Sequence, residues 1–260
     1  MAVDEALLDE QLQGPANRGP TLRLYGWSPP ALSLGKSQPA RGSHDASYLH
    51  RERIGLVRRP TGGRAVLHEA ERTYAVVGAL EDPAFRGGVQ QTYRAVSEAV
   101  CAALRAMGVD ARHGAEQPWD GEEGPVCFQR ARPHEITVGG AKIVGSAQLR
   151  RRGAFLQHGS ILLAADAQRL GRAIGTLVRS SSLTDLTREL GREPDPEALD
   201  RALLAAFENR FQRPLEPGPL EAREQQRAAE LYSWKYLSQT WTHCGRIGSR
   251  ERRHGRVAAR

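Results

Sequence analysis

The sequence predicts an α+β fold, with a mixed or antiparallel β-sheet flanked by helices. Strand-like segments occur in groups and do not alternate with helices one by one, which argues against a doubly wound parallel sheet. The last part of the chain, 166–241, carries helical periodicity only. With 260 residues, of which 40% are hydrophobic, the chain can bury a sizeable core. We therefore expect one domain over residues 1–241, followed by a basic, disordered tail over residues 246–260.

The elements follow from apolar spacing in chain order. Residues 2–12 predict a helix, and 21–35 predicts two short strands interrupted by Pro29 and Pro30, which a central strand would not accommodate. Strand material lies on both sides of the PTGGR segment within 54–77. From 89 to 107 apolar residues recur at steps of three and four, which predicts an amphipathic helix that Gly108 ends.

The second half begins with a loop at 114–125. Three strands are then predicted at 134–138, 142–147 and 154–163. Four helices are predicted after them, at 166–178, at 183–190 behind a serine cap, at 196–211 and at 219–237.

Charge is the first functional signal, because a net charge of +7 invites a nucleic-acid interpretation. The tail at 246–260 accounts for most of it, with six arginines against one glutamate, and the aromatic content of 6% is low. We therefore predict no nucleic-acid partner, although sequence-selective binding that survives removal of this tail would support one. The arginines at 150–152 are expected to form a basic rim beside the proposed functional site. Only three of the 37 basic residues are lysines, Lys36, Lys142 and Lys235.

Location and metal content follow from what the sequence lacks. It contains no apolar run of the about 18 residues that a membrane span needs, and its acidic N-terminus does not resemble a signal peptide. Its three cysteines are far apart and no HExxH pattern occurs, so we expect a cytoplasmic protein without metal.

Three segments contain candidates for chemistry. The first is RRPTGGRAVLH at 58–68, whose paired glycines allow close approach of a ligand and whose arginines could bind an anion. A hairpin turn with solvated arginines is equally compatible with it. The second, GAKIVGSAQ at 140–148, has Lys142 near the start of a strand, where an exposed lysine is the simpler interpretation. The third is Cys127, either a nucleophilic thiol or a small buried side chain, whereas Cys101 on the helix at 89–107 is expected to be core.

These segments occur in a fixed order with RLYGW, PALSLG, LQHGSILL and KYLSQTW. Together they resemble the lipoate/octanoate protein ligase and transferase family, and within it the LipM-type octanoyltransferases. The resemblance implies the catalytic-domain fold that this family shares with biotin protein ligases. It also implies an acyl site, with substrate-binding residues at Arg59, Thr61, Gly62, Gly63, Arg64, His68, Gly145, Ser146, His158 and Gly159.

The activity implied by the resemblance is transfer of octanoyl from acyl carrier protein to a lysine of lipoyl-domain proteins. Such acceptors are the glycine cleavage H protein and subunits of 2-oxoacid dehydrogenases. Cys127 would form an acyl-enzyme, and Lys142 would stabilise its thiolate; thioester-to-amide transfer then needs no cofactor. The alternative within the family is an ATP-dependent lipoate–protein ligase, which needs the lysine but no thiol.

Overall fold

The computed structural model describes residues 1–13, 18–113 and 135–247. Within these ranges the strands are β1 (Thr21–Tyr25), β2 (Ala31–Leu34), β3 (Gly55–Arg58), β4 (Val66–His68), β5 (Glu71–Ala79), β6 (Arg112–His113), β7 (Ile136–Val138), β8 (Ala141–Arg151) and β9 (Ala154–Leu162). The helices are α1 (Ala2–Gln13), α2 (Ala46–Arg51), α3 (Val89–Ala106), α4 (Ala167–Ile174), α5 (Leu186–Leu190), α6 (Pro196–Phe211), α7 (Ala222–Leu231) and α8 (Gln239–Cys244).

The strands form two sheets. The larger has the order β1-β5-β9-β8-β7-β6, and all its neighbours are antiparallel. The smaller has the order β3-β2-β4, with β2 parallel to β3 and antiparallel to β4. The predicted α+β class with mixed and antiparallel sheets is confirmed. Since β2 lies between β3 and β4, the PTGGR segment is not the turn of a hairpin, and that alternative is wrong.

Helices cover both faces of the larger sheet. Successive side chains of a strand point to opposite faces, so Tyr74 and Val76 of β5 pack toward α3 and α6, whereas Ala75 and Val77 pack toward α1. Cys101 is buried in the first of these cores, as predicted. Burial raises the pKa of its thiol to about 11, so this cysteine is unreactive.

The smaller sheet packs against α2 and α4 in a separate core, which also contains Leu162 of β9. Leu156, on the same face of β9, contacts α1 instead. The smaller sheet and α1 therefore cover neighbouring parts of one face of the larger sheet. The candidate site lies between them.

Two predicted helices, 89–107 and 196–211, agree with α3 and α6 within one residue. The predicted helix at 166–178 is shorter, because Gly175 adopts a left-handed conformation with φ of 71° and ends α4 at Ile174. The serine cap was wrong: the side chain of Asp185 accepts the hydrogen bond that caps α5.

The predicted helix at 219–237 is confirmed over most of its length. Helix α7 (Ala222–Leu231) continues directly into a turn of π-helix over Tyr232–Tyr236, and α8 begins after its cap Ser238. The π-helical turn carries Lys235 inward to Glu5 of α1, where the two side chains form a buried ion pair at 2.5 Å. The short helix α2 was not predicted.

No helix in the parts of the chain that the structure describes is both long and apolar enough to cross a membrane. The predicted disorder of the tail falls almost entirely on residues outside the described ranges and stays a prediction.

Candidate active site

A cavity of about 30 Å³ lies between α1, the smaller sheet and strands β8 and β9. That volume holds about two water molecules. Its lining comes from elements that are distant in sequence: Met1, Ser33, Arg59, Val66, His68, Thr73, Lys142, Gly145, Ser146, Ala147, His158, Gly159 and Ser160.

Lys142 lies in this cavity as a buried cation. It is 1% exposed, and its Nζ donates a hydrogen bond to the Glu135 carboxylate, which is also buried. An isolated ammonium would be costly to bury, so the carboxylate compensates its charge. The simpler interpretation of Lys142 as an exposed strand-end residue is therefore wrong.

The loop that contains Gly62 and Gly63 is held by Arg59. The Arg59 guanidinium donates to the carbonyl oxygens of Ser33, Gly62 and Arg64 at 2.6–3.1 Å. The side chain is 4% exposed. These bonds fix the main chain of the loop, which is a positioning role that sequence reasoning did not assign to this arginine.

The same loop lies directly against the end of β2. A Cβ added to Gly35 would be 1.9 Å from the Gly63 carbonyl oxygen, so only glycine fits there. Gly63 itself has φ of 92°, a conformation that favours glycine. A Cβ on Gly62 would meet no atom within 4 Å. The paired glycines thus have different roles: Gly63 packs closely against Gly35, whereas Gly62 borders open space.

His158 of β9 connects the loop to α1. Its Nε2 lies 2.7 Å from Thr61 Oγ1, and its Nδ1 lies 3.5 Å from Asp4 Oδ2. Burial lowers the pKa of His158, although Asp4 opposes this effect. Burial would raise the pKa of Asp4, but the chain's amino terminus, His158 and Arg23 outweigh it and lower that pKa. The result is a neutral imidazole beside an ionised carboxylate.

His68 of β4 forms a second chain of this type. Its Nε2 lies 2.8 Å from Ser33 Oγ, its Nδ1 lies 3.8 Å from Glu71 Oε1, and the Trp27 ring stacks on it at 4.3 Å. Burial lowers the pKa of His68 too. Arg59 donates a hydrogen bond to Ser33 Oγ, so the Ser33 hydrogen is available to His68 Nε2.

The wall at Gly159 is tightly packed. A Cβ on Gly159 would lie 2.6 Å from both Ser146 Oγ and the ring of Tyr74. The hydroxyl groups of Tyr74 and Ser146 are 2.7 Å apart, and burial raises the pKa of Tyr74 to about 12. Glycine at this position therefore allows β9 to pack closely against Ser146 and Tyr74.

The structure brings most of the predicted site residues together. Arg59, His68, Lys142, Gly145, Ser146, His158 and Gly159 line one cavity. Thr61 reaches it through its contact with His158, and Gly62, Gly63 and Arg64 belong to the adjoining loop. Cys127 lies outside the described residues, so its position stays a prediction.

Sequence reasoning missed four polar residues of the site: Asp4, Ser33, Glu71 and Glu135. All are buried. Ser33 has a recognisable signal, because it lies between two buried leucines, Leu32 and Leu34, in β2. Asp4 lies one turn before the apolar residues Leu7 and Leu8 of α1. Nothing local marks Glu71 or Glu135.

The basic rim expected at 150–152 stays a prediction. Arg151 lies nine positions along β8 from Lys142, about 30 Å in an extended strand, but four positions from Ala147, which also lines the cavity. Arg150 donates to the carbonyl oxygens of Gly87 and Gly88, and Arg151 pairs with Glu5 and Asp9 of α1. Within the described ranges, no group of three or more His, Cys, Asp or Glu side chains is arranged to hold a metal ion.

Comparison with known proteins gives consistent matches. Residues 1–208 match the family "Lipoyl protein ligase A/B catalytic domain". The chain is 40% identical to the octanoyltransferase LipM of Kyrpidia tusciae, over 94% of this chain and 93% of the relative. It is 33% identical to the octanoyltransferase LipM of Bacillus subtilis, over 94% of this chain and 92% of the relative.

Solved structures agree with these matches. A lipoate-protein ligase A bound with ATP superposes with a TM-score of 0.79 at 26% identity, over 93% of this chain and 92% of that one. A lipoate protein ligase from T. acidophilum with bound lipoic acid superposes with a TM-score of 0.78, at the same identity and with the same coverage of both chains. The chain belongs to the lipoyl protein ligase A/B catalytic domain family.

Proposed function

We propose that this protein is an octanoyltransferase of protein lipoylation, which moves an octanoyl group from a thioester donor to a lysine of a lipoyl-domain protein. The observation that carries the proposal is Lys142: a buried ammonium paired with Glu135 in a cavity beside the double-glycine loop. Similarity over nearly the whole chain to octanoyltransferases supports the choice of acyl group.

The proposed chemistry has two steps. The Cys127 thiolate attacks the donor thioester, so a carbon–sulfur bond forms to the enzyme and the donor thiol leaves. The acceptor amine then attacks the acyl-enzyme, a carbon–nitrogen bond forms, and Cys127 is released as the leaving group. An ammonium has three donor hydrogens, so Lys142 can bind Glu135 and also stabilise the oxygen that becomes negative in each step.

The donor and acceptor are part of the proposal. We propose octanoyl-acyl carrier protein as donor and lipoyl-domain proteins as acceptors. Because the acyl group arrives already activated as a thioester, its transfer to an amine needs no nucleotide.

Intact-mass measurement tests both steps. The protein is mixed with octanoyl-acyl carrier protein, and we expect one octanoyl adduct on Cys127 that disappears when an apo lipoyl domain is added. Cys127→Ala should show neither the adduct nor the transfer, and Cys101→Ala is the matched control that keeps both. Absence of any adduct on the unaltered protein would contradict the proposal.

The ligase alternative keeps some support, because one superposing structure is a ligase bound with ATP. The two activities differ in what they need. Transfer from free octanoate that requires ATP and survives Cys127→Ala would identify a ligase, whereas ATP-independent transfer that Cys127→Ala abolishes would identify the transferase.

A further inference from the structure

Exposed cations lie beside the loop that contains Gly62 and Gly63, the acyl-site loop. Lys36 follows β2 and Arg246 follows α8, and both side chains are exposed. The main-chain N–H of Lys36 donates to the Thr61 carbonyl at 2.8 Å. Lys36 therefore adjoins the acyl-site loop directly.

The main chains that carry the two cations are packed together. A Cβ on Gly245 would lie 2.3 Å from the Lys36 carbonyl oxygen, so the residue before Arg246 packs directly against Lys36. The Arg58 guanidinium donates to the carbonyl oxygens of Lys36 and His243, each at 3.2 Å, and this arginine is buried. The segments after β2 and at the end of α8 are therefore joined into one surface, the Lys36–Arg246 surface.

The chain segments that build this surface carry positive charge only. Aspartate and glutamate are absent from the three segments 35–44, 58–68 and 238–247. The first of them adds Arg41, which is also exposed. Among the residues that the structure describes, no carboxylate forms an ion pair with Lys36, Arg41 or Arg246.

The acidic residues that flank these segments in sequence are engaged elsewhere. Asp45 caps α2 by accepting a hydrogen bond from the Tyr48 main-chain N–H. Glu69 pairs with Arg169 of α4. The cations of the Lys36–Arg246 surface are thus available to an external anion.

A surface of this kind favours an acidic partner. Clustered cations attract negatively charged partners and raise the rate of encounter with them. Donor and acceptor of the proposed transfer differ in this respect. A carrier protein holds its acyl thioester on a phosphopantetheine arm, whose phosphodiester is an anion at any working pH. The lysine side chain of an acceptor contains no anion.

We propose that the Lys36–Arg246 surface docks the acyl donor, by attracting the phosphodiester of the arm and acidic side chains of the carrier protein. This role rests on the proposed function and concerns binding alone, since no bond is made or broken at the surface. Gly62 borders open space, which leaves room beside the acyl-site loop for the thioester end of the arm.

The kinetics of acyl-enzyme formation test the surface. Both side chains are exposed, so Lys36→Gln/Arg246→Gln should fold as the unaltered protein does. We expect its KM for octanoyl-acyl carrier protein to rise by about 10-fold at low salt, the scale of electrostatic steering, with kcat unchanged. Lys36→Glu/Arg246→Glu should raise KM further, and added salt should reduce the differences among the proteins.

A matched control removes the same charge from another face. Arg94 of α3 and Arg201 of α6 are exposed, and their helices cover the face of the larger sheet opposite the smaller sheet. Arg94→Gln/Arg201→Gln should therefore keep the unaltered KM for octanoyl-acyl carrier protein.

A small donor separates docking from damage to the acyl site. The octanoyl thioester of N-acetylcysteamine has neither a phosphate nor a protein attached to it. Both variants of the surface should react with it at the unaltered rate. In the second half-reaction their KM for an apo lipoyl domain should also be unchanged.

Three results would overturn the proposal. One is an unaltered KM for octanoyl-acyl carrier protein in Lys36→Glu/Arg246→Glu; if that variant also loses binding of duplex DNA, the surface serves nucleic acid instead. Another is an equal loss with the small thioester, which would mean a damaged site. The third is an equal rise in KM for the lipoyl domain, which would mean that the surface does not distinguish donor from acceptor. Failure of the unaltered protein to become acylated by either donor is a different outcome, because it contradicts the proposed function itself.

Discussion

Arg58 and Trp241 are hydrogen-bonded in both directions: Arg58 Nε donates to the Trp241 carbonyl at 3.1 Å, and Trp241 Nε1 donates to the Arg58 carbonyl at 3.0 Å. The Arg58 guanidinium also donates to the carbonyl oxygens of Thr242, Gly35 and Gln38 at 2.6–2.8 Å. Helix α8 is therefore joined to the start of the acyl-site loop by a buried cation. The adjacent Arg59 holds the loop itself, so the two arginines link the C-terminal helix to the site.

Trp241→Phe tests this link. The substitution keeps an aromatic ring but removes the donor to the buried Arg58 carbonyl, so we expect the free energy of unfolding to fall by about 1–2 kcal/mol in urea denaturation. Trp234→Phe is the control, because the Trp234 ring packs at the contact between α1 and α7. An equal loss in both variants would show that ring size, not the hydrogen bond, determines the effect.

Gly35→Ala should damage the acyl-site loop from outside the cavity. The added methyl group would lie 1.9 Å from the Gly63 carbonyl oxygen, and both main chains are anchored, so one must shift. We expect a loss of about 1–3 kcal/mol in the free energy of unfolding, as for other overpacked sites. Gly62→Ala, where the methyl group meets no atom within 4 Å, should cost less than 1 kcal/mol, roughly the scale of glycine-to-alanine effects. Equal stability of the two variants would contradict this packing.

The site could be predicted from sequence only where residues are close along the chain. The loop at 58–68 and the strand at 140–148 stand out because each combines glycines with a cation, and the cavity lining includes parts of both. Asp4 could not be predicted, because its partner His158 is 154 residues away and only the packing of α1 on β9 brings them together.

The elements of the fold divide in the same way: those that depend on neighbouring residues could be predicted from the sequence, and those that depend on distant residues could not. Helices α3 and α6 follow from periodicity alone, because each buries one continuous apolar stripe. The change from α-helix to π-helix after Leu231 does not, because it places Lys235 against Glu5 at the other end of the chain. Long-range ion pairs leave no local pattern, which is why Lys235 had no role that could be assigned from sequence.

The buried pair Lys142–Glu135 should separate stability from activity. Lys142→Met leaves the carboxylate buried without its ammonium, and we expect a loss of about 3–5 kcal/mol in the free energy of unfolding. The double variant Lys142→Met/Glu135→Leu removes both charges and should recover most of that loss, yet remain inactive in octanoyl transfer. An active double variant would contradict the role of the Lys142 ammonium, and an equally unstable one would contradict the account of burial.

The two buried histidines should make the protein less stable below about pH 6.5. Burial lowers both folded pKa values, whereas the unfolded chain has the ordinary value of about 6.5. Above that pH both states are neutral at these rings. As the pH falls below it the unfolded chain takes up protons that the folded protein does not, so the free energy of unfolding decreases by up to about 1.4 kcal/mol per pH unit for each histidine.

Urea denaturation between pH 7 and pH 5 tests this. The free energy of unfolding should decline more steeply for the unaltered protein than for His158→Gln or His68→Gln, and it should decline least for the double variant. His50→Gln, on the exposed surface of α2, is the control whose slope should match the unaltered protein. Identical slopes in all variants would mean that neither buried ring resists protonation.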